Sequence, residues 1–165
     1  MRMTRLEALQ SKIQNKEQLA RTLALWRFKD RKIVFTNGCF DLLHKGHVTY
    51  LAQAAELGDL MVLGLNSDIS IKKLNKGSNR PIQDQESRAL ILASLESVGA
   101  IIIFDEDTPA ELIKFVQPDV LVKGGDWKPE QIAGYDTVKA KGGEVTVIDY
   151  IQGFSTTSIE QKIKG

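Results

Sequence analysis

The sequence predicts an α/β fold, a doubly wound sheet of about five parallel strands with a helical extension at the N-terminus. Three observations carry this. Short apolar, β-favouring runs alternate with stretches of helical periodicity along 165 residues. Glycine and polar clusters punctuate each change, and no composition shift or Pro/Ser-rich tract marks a linker inside the chain. With 42% hydrophobic and 26% charged residues, there is material for one sizeable core covered on both faces.

In order, Leu6, Leu9 and Ile13, then Leu19, Leu23 and Trp26, recur at helical spacing, with Asn15 as a cap between two helices. Residues 1–30 are read as the extension and 31–165 as the main domain. Ile33–Phe35 is the first strand, followed by a loop through Thr36, Asn37 and Gly38 to a helix carrying Val48, Leu51, Ala52 and Ala55. Leu60–Leu65 is the second strand, ending beside Asn66. The lysine-rich stretch 70–82, with Lys72, Lys73, Lys76 and Arg80, reads as a mobile loop. Asp84 caps a helix whose apolar stripe is Ile91, Leu95 and Val98. Ala100–Phe104 is the third strand, and Pro109 opens a helix with Leu112, Ile113 and Val116. Asp119–Lys123, a helix over Tyr135–Lys141 and a strand over Val145–Ile148 complete the alternation. Thr157 with Glu160 forms a capping box for a last helix.

Parallel strands joined by right-handed crossovers bind ligands beyond their carboxyl ends. That rule gathers the loops 36–47, 66–80, 105–108, 123–127 and 153–158 on one edge. In the first, the only two histidines of the chain stand three apart as His44-Lys45-Gly46-His47. At a helix start they share a side, with Gly46 leaving room between them, and the helix's positive end favours an anion there. The same positive end disfavours imidazolium, so neutral rings donating to phosphate oxygens fit better than bases. Helix-capping histidines are the plainer alternative. Zinc is a third, with a poor ligand set, since the single Cys39 adds little and no other histidine exists. Cys39 reads as a small buried hydrophobe.

Thr36-Asn37-Gly38-Cys39-Phe40-Asp41 with the HKGH run, and later Gly153-Phe154-Ser155-Thr156-Thr157-Ser158, resemble the HxGH and STT-type signatures of the cytidylyltransferase-like nucleotidyltransferases. Across nearly the whole chain, GLNSD at 64–68, RPI at 80–82, FDEDTP at 104–109 and VKGGD at 122–126 are similar to the bacterial heptose 1-phosphate adenylyltransferase family. The resemblance implies a Rossmann-like fold of nucleotidyltransferase type and transfer of AMP from ATP, with Mg²⁺, to D-glycero-β-D-manno-heptose 1-phosphate for lipopolysaccharide precursors. It implies that His44 and His47 hold phosphates through the transition state. Thr36, Asn37, Gly38 and Phe40 would meet the nucleotide by their backbone, with Gly46 and Asn66 beside them. Asp41 would order the loop or a magnesium-bound water, or simply cap. Ser155, Thr156 and Thr157 would bind the leaving phosphates.

Arg88 sits in the first turns of a helix, where its charge opposes the dipole and asks for a neighbouring anion. Phosphate is one candidate and an exposed, screened side chain is the alternative. Lys123, at a strand's carboxyl end beside Gly124, is placed to touch substrate phosphate. Asp126 and Trp127 line the sugar side, and Lys73 and Arg80 close over phosphates or remain solvated. Tyr150 stands where glycerol-phosphate cytidylyltransferases carry an Arg, which favours ATP over CTP and leaves a cation to Arg88 or a lysine. Alternatives are another alcohol phosphate, such as glycerol 3-phosphate, or a non-catalytic nucleotide-binding regulatory domain. Net charge of +1 offers no general attraction to nucleic acid or membrane. The chain is expected to be cytoplasmic, to dimerise through its apolar N-terminal helices, and to have a separate heptose kinase as pathway neighbour.

Overall fold

In a computed structural model, residues 2–74 and 80–164 are described; Lys76 lies outside them. Five parallel strands form one sheet in the order β3-β2-β1-β4-β5. They are β1 (Ile33–Gly38), β2 (Leu60–Asn66), β3 (Ala100–Phe104), β4 (Val120–Gly124) and β5 (Glu144–Ile148). The helices are α1 (Arg5–Gln10), α2 (Lys16–Phe28), α3 (Lys45–Ala55), α4 (Asp68–Lys73), α5 (Gln85–Ala93), α6 (Ala110–Val116), α7 (Tyr135–Ala140) and α8 (Thr156–Lys164), with a 3₁₀ turn at Pro129–Gln131.

Period-2 alternation divides the core. Val34, Met61, Leu63 and Leu65 face α3 and α5 through Leu51, Ala54, Ala89 and Leu92. Ile33, Phe35 and Val62 face the other way, onto Leu19 and Leu23 of α2, Leu112 and Ile113 of α6 and Val138 of α7. The chain thus wraps the sheet on both sides. β3 would be a bare edge, but residues 12–14 lie along it: Ile101 N–H donates to Lys12 C=O at 2.7 Å and Gln14 N–H to Ile101 C=O at 2.8 Å. Asn15 caps α2 reciprocally with Gln18, as its spacing predicts.

Three local readings are corrected. The lysine-rich stretch begins as a helix, α4, because Ser67 caps it and Ser70 and Ile71 are buried beneath it. The stripe of α5 is Arg88, Ala89, Leu92 and Ala93 rather than Ile91, Leu95 and Val98, since the helix stops at Ala93. At α8 the reciprocal cap belongs to Ser155 and Ser158: Ser158 N–H donates to Ser155 Oγ at 3.0 Å and Ser155 N–H to Ser158 Oγ at 3.2 Å. Ser155 immediately precedes the first residue of the helix, whereas Thr157 already lies inside it, and Glu160 is used elsewhere.

Candidate active site

Strand order reverses between β1 and β4, and a crevice opens there beyond the carboxyl ends. It is a cavity of about 1060 Å³. Asn37 at the end of β1 and Lys123 at the end of β4 face each other across the switch point, with Lys123 Nζ donating to Asn37 Oδ1 at 3.5 Å. Lys123 also lies 6.0 Å from the Trp127 ring centroid. One wall runs from Asn37 through Phe40 and Asp41 to His44, Gly46 and His47. Residues 153–157, which lead into α8, also line the cavity, with Phe154 beside Gly46.

His44 is the N-cap of α3, and its Nδ1 accepts from His47 N–H at 3.3 Å. In the neutral ring the proton therefore sits on Nε2, which makes His44 a donor on its far side. The two imidazoles stack, with centroids 3.7 Å apart and planes 19° from parallel, and the edge of Phe40 packs on His47 at 5.2 Å. Burial lowers the pKa of both rings. For His47, burial and then the neighbouring His44 push it down to about 4, with the Leu42 backbone opposing them. Its Nδ1 is buried without a hydrogen bond of normal geometry. A neutral pair at a helix start is what phosphate-oxygen donors require.

These values carry a testable consequence. An unfolded imidazole takes its proton near 6.5, whereas folded His47 takes it near 4. Between those values the unfolded state binds more protons, so stability rises with pH and is lost as pH falls from about 6.5 towards 4. Because solvent reaches part of the ring, the contribution is discounted to about 1–2 kcal/mol. Imidazole NMR should place the His47 midpoint near 4, and the urea midpoint should drop over the same window. A His47 midpoint near 6.5 would refute the buried neutral ring.

Gly46 and Gly38 are needed for reasons other than ligand access. A Cβ on Gly46 would meet His44 Cε1 at 3.0 Å and Phe154 Cβ at 3.3 Å, and one on Gly38 would meet the Phe40 ring at 2.8 Å. Phe40 holds this ring in place at φ +45°. Thr36 is fully buried and away from the cavity, its hydroxyl 2.6 Å from the Tyr50 hydroxyl. Tyr50 in turn donates to Val122 C=O at 3.3 Å. Burial pushes its phenol up to about 12, so it stays protonated.

Asp41 is 4% exposed and organises the loop. Its oxygens accept from Ile82 N–H at 2.9 Å, Gln83 N–H at 3.0 Å and Arg80 Nη1 at 3.0 Å. Burial raises its pKa, but these donors outweigh it, and the carboxyl ends below the usual value. Arg80 lines the cavity, yet its guanidinium is engaged by Asp41 and, through Nη2 at 2.8 Å, by Glu160.

Arg88 is the principal correction. It is 1% exposed and does not reach the cavity. Nε donates to Gln83 C=O at 3.1 Å, Nη1 to Cys39 C=O at 2.7 Å and Asn66 C=O at 2.8 Å, and Nη2 to Asp68 Oδ1 at 2.7 Å. The anion that offsets its position near the helix start is Asp68, within the protein. Arg88 is therefore not the cation that stands in for the residue replaced by Tyr150.

The remaining predicted residues divide. Asn66 reaches the cavity while its amide donates to Ser70 Oγ at 2.9 Å. Gly124, Trp127, Ser155, Thr156 and Thr157 line it; Asp126 and Lys73 do not, and Lys73 pairs with Asp107 at 3.5 Å on the surface. Cys39 is half-buried at the wall rather than in the core. Tyr150, noted in the sequence only for the Arg it replaces, lines the cavity with its ring 2.6–2.8 Å from where Cβ atoms on Gly124 and Gly125 would stand. Sequence reasoning missed Tyr50, which helical spacing puts one turn after His47. It also missed Gln131–Ala133, for which the sequence carries no signal.

The cytidylyltransferase-like family profile matches residues 35–162. The "Bifunctional protein HldE" of Syntrophotalea carbinolica is 53% identical over 153 residues, covering 93% of this chain and 31% of that protein. The protein of the same name from Wolinella succinogenes is 49% identical over 156 residues, 94% of this chain and 32% of its own length. The chain thus spans about a third of the curated relatives it matches. Among solved structures, the lipopolysaccharide core biosynthesis protein of Thermoplasma volcanium is 28% identical with a TM-score of 0.58, covering 73% of this chain and 97% of that one. Pantoate-beta-alanine ligase of Francisella tularensis, 16% identical with a TM-score of 0.59 over 92% of this chain and 76% of its own, shares the fold. With a match that runs from the first strand through the histidine helix to α8, the chain belongs to the cytidylyltransferase-like family of nucleotidyltransferases.

Proposed function

We propose that the chain transfers AMP from ATP to D-glycero-β-D-manno-heptose 1-phosphate, giving ADP-heptose and pyrophosphate. The observation that carries nucleotidyl transfer is the stacked, neutral His44–His47 pair at one helix start, lining the same crevice as the start of α8. The sugar phosphate is already an anionic nucleophile at neutral pH. An oxygen of that phosphate bonds to the α-phosphorus while the bond to the bridging oxygen of pyrophosphate breaks. The protein has to align the two in line and stabilise charge on the non-bridging and leaving oxygens. In this reading His44 Nε2–H and His47 donate to the α- and β-phosphates, Lys123 contributes its charge from the facing strand end, and the α8 start receives the leaving phosphates.

Mg²⁺ enters as part of the nucleotide substrate, where phosphate oxygens satisfy most of its coordination. Asp41 does not fit as its ligand, because Arg80 and two backbone N–H groups already occupy both carboxylate oxygens. The heptose acceptor is supported by the motifs shared with the heptose adenylyltransferases and by relatives about half identical over nearly the whole chain. The acceptor is itself a sugar phosphate, which in this reading a separate heptose kinase supplies.

Purified protein with Mg²⁺, either ATP or CTP, and either heptose 1-phosphate or glycerol 3-phosphate decides the matter by pyrophosphate release. Release with ATP and heptose 1-phosphate alone is expected. Preference for CTP with glycerol 3-phosphate would replace the substrate assignment. Nucleotide binding without pyrophosphate from any pair would make the chain a non-catalytic nucleotide-binding domain.

A further inference from the structure

Helix α8 presents Ser155–Thr157 to the cavity, yet little polar contact fixes it there. The hydroxyls of Ser155 and Ser158 are spent on the helix's own start. Among the described residues, the side-chain hydrogen bond that leaves α8 for the rest of the protein is Glu160 Oε2 accepting from Arg80 Nη2 at 2.8 Å. Glu160 lies four residues after Thr156 and therefore on the same face of the helix. Arg80 is only 12% exposed at its side chain and Glu160 25%, so water screens the pair incompletely. The other branch of the guanidinium holds Asp41, which in turn holds the backbone of Ile82 and Gln83. A continuous line of charge-assisted bonds thus joins the loop before the histidine helix to α8.

We propose that Glu160 is a positioning residue: through Arg80 it moors the start of α8 against the wall that carries His44 and His47. Arg80 is then a strut between two carboxylates rather than a substrate ligand. The three members are unequal. Removing Asp41 would leave backbone N–H groups and a guanidinium short of partners, whereas removing Glu160 leaves Arg80 paired with Asp41 and no charge stranded. Glu160 can therefore be removed from a protein that still folds. The kinetic consequences rest on the nucleotidyl-transfer reading; the structural ones do not.

The test compares Glu160→Ala and Glu160→Gln with the unaltered protein by amide hydrogen exchange and by pyrophosphate release at varied ATP. In Glu160→Ala, exchange across residues 156–163 should quicken about tenfold, with β1 and β4 unchanged and the melting temperature within about 2 °C. Its kcat/KM for ATP should fall about tenfold, mostly through KM, because the leaving phosphates lose a fixed partner in both ground and transition state. Glu160→Gln keeps an acceptor oxygen and should stay within about threefold on both readouts. Unchanged α8 exchange in Glu160→Ala overturns the mooring. So does a fall in KM, which would mean that Glu160 keeps Arg80 away from phosphate. If the unaltered protein releases no pyrophosphate with any pair, the nucleotidyl-transfer reading fails, while exchange across α8 still decides whether Glu160 moors the helix.

Discussion

Replacing His47 by alanine is expected to lower turnover by about a hundredfold to a thousandfold, the range for loss of one preorganised donor at a phosphoryl or acyl transition state. Nucleotide affinity should change far less, because the donor matters most where charge builds up. The substitution removes a ring that stacks on His44 and meets Phe40, so the partner ring will relax somewhat. Its backbone N–H, which caps against His44 Nδ1, is retained. Circular dichroism and ATP titration should therefore look close to those of the unaltered protein while steady-state pyrophosphate release collapses. Turnover within threefold of normal would reduce the histidines to helix caps.

The second large effect is on stability. Arg88→Ala should cost about 3–5 kcal/mol, since it strands three carbonyls and one face of Asp68 that a single guanidinium now satisfies. For a chain of this size that corresponds to a melting temperature lower by roughly 10 °C. Arg88→Lys should recover only part of it, because an ammonium cannot reproduce the planar fork that reaches Gln83, Cys39, Asn66 and Asp68 together. A normal melting temperature with lost phosphate affinity would show that Arg88 turns into the cavity during the reaction.

Much of this protein is legible in its sequence because its signals are local. Buried strands, caps such as Asn15 and Asp84, and the histidine spacing at a helix start each depend on a few adjacent residues. The failures share a different cause. For Arg88, the argument that a cation near a helix start needs an anion holds, but the anion is Asp68, twenty positions away and brought close only by the fold. Asp41 was legible as a loop organiser, whereas its partners at 80–83 follow a connection whose path no pattern reveals. Helix α4 was hidden because it is short and its two buried residues, Ser70 and Ile71, leave almost no periodic trace. Glu160 satisfied the spacing of a capping box and belonged instead to a long-range ion pair.

One bond of Arg88 reaches further than stability. The last paired positions of β1 and β2 are Gly38 and Leu65, and the next carbonyls on each strand, Cys39 and Asn66, accept from one nitrogen of the guanidinium. A side chain thus serves as the rung beyond the end of the ladder. The gap between those two strand ends is gauged by a helix on one face of the sheet and not by the loops that line the mouth. A loop side chain can therefore change without altering the spacing at which the first two strands deliver their ends to the reaction, provided the Cys39 and Asn66 carbonyls keep their place on Arg88.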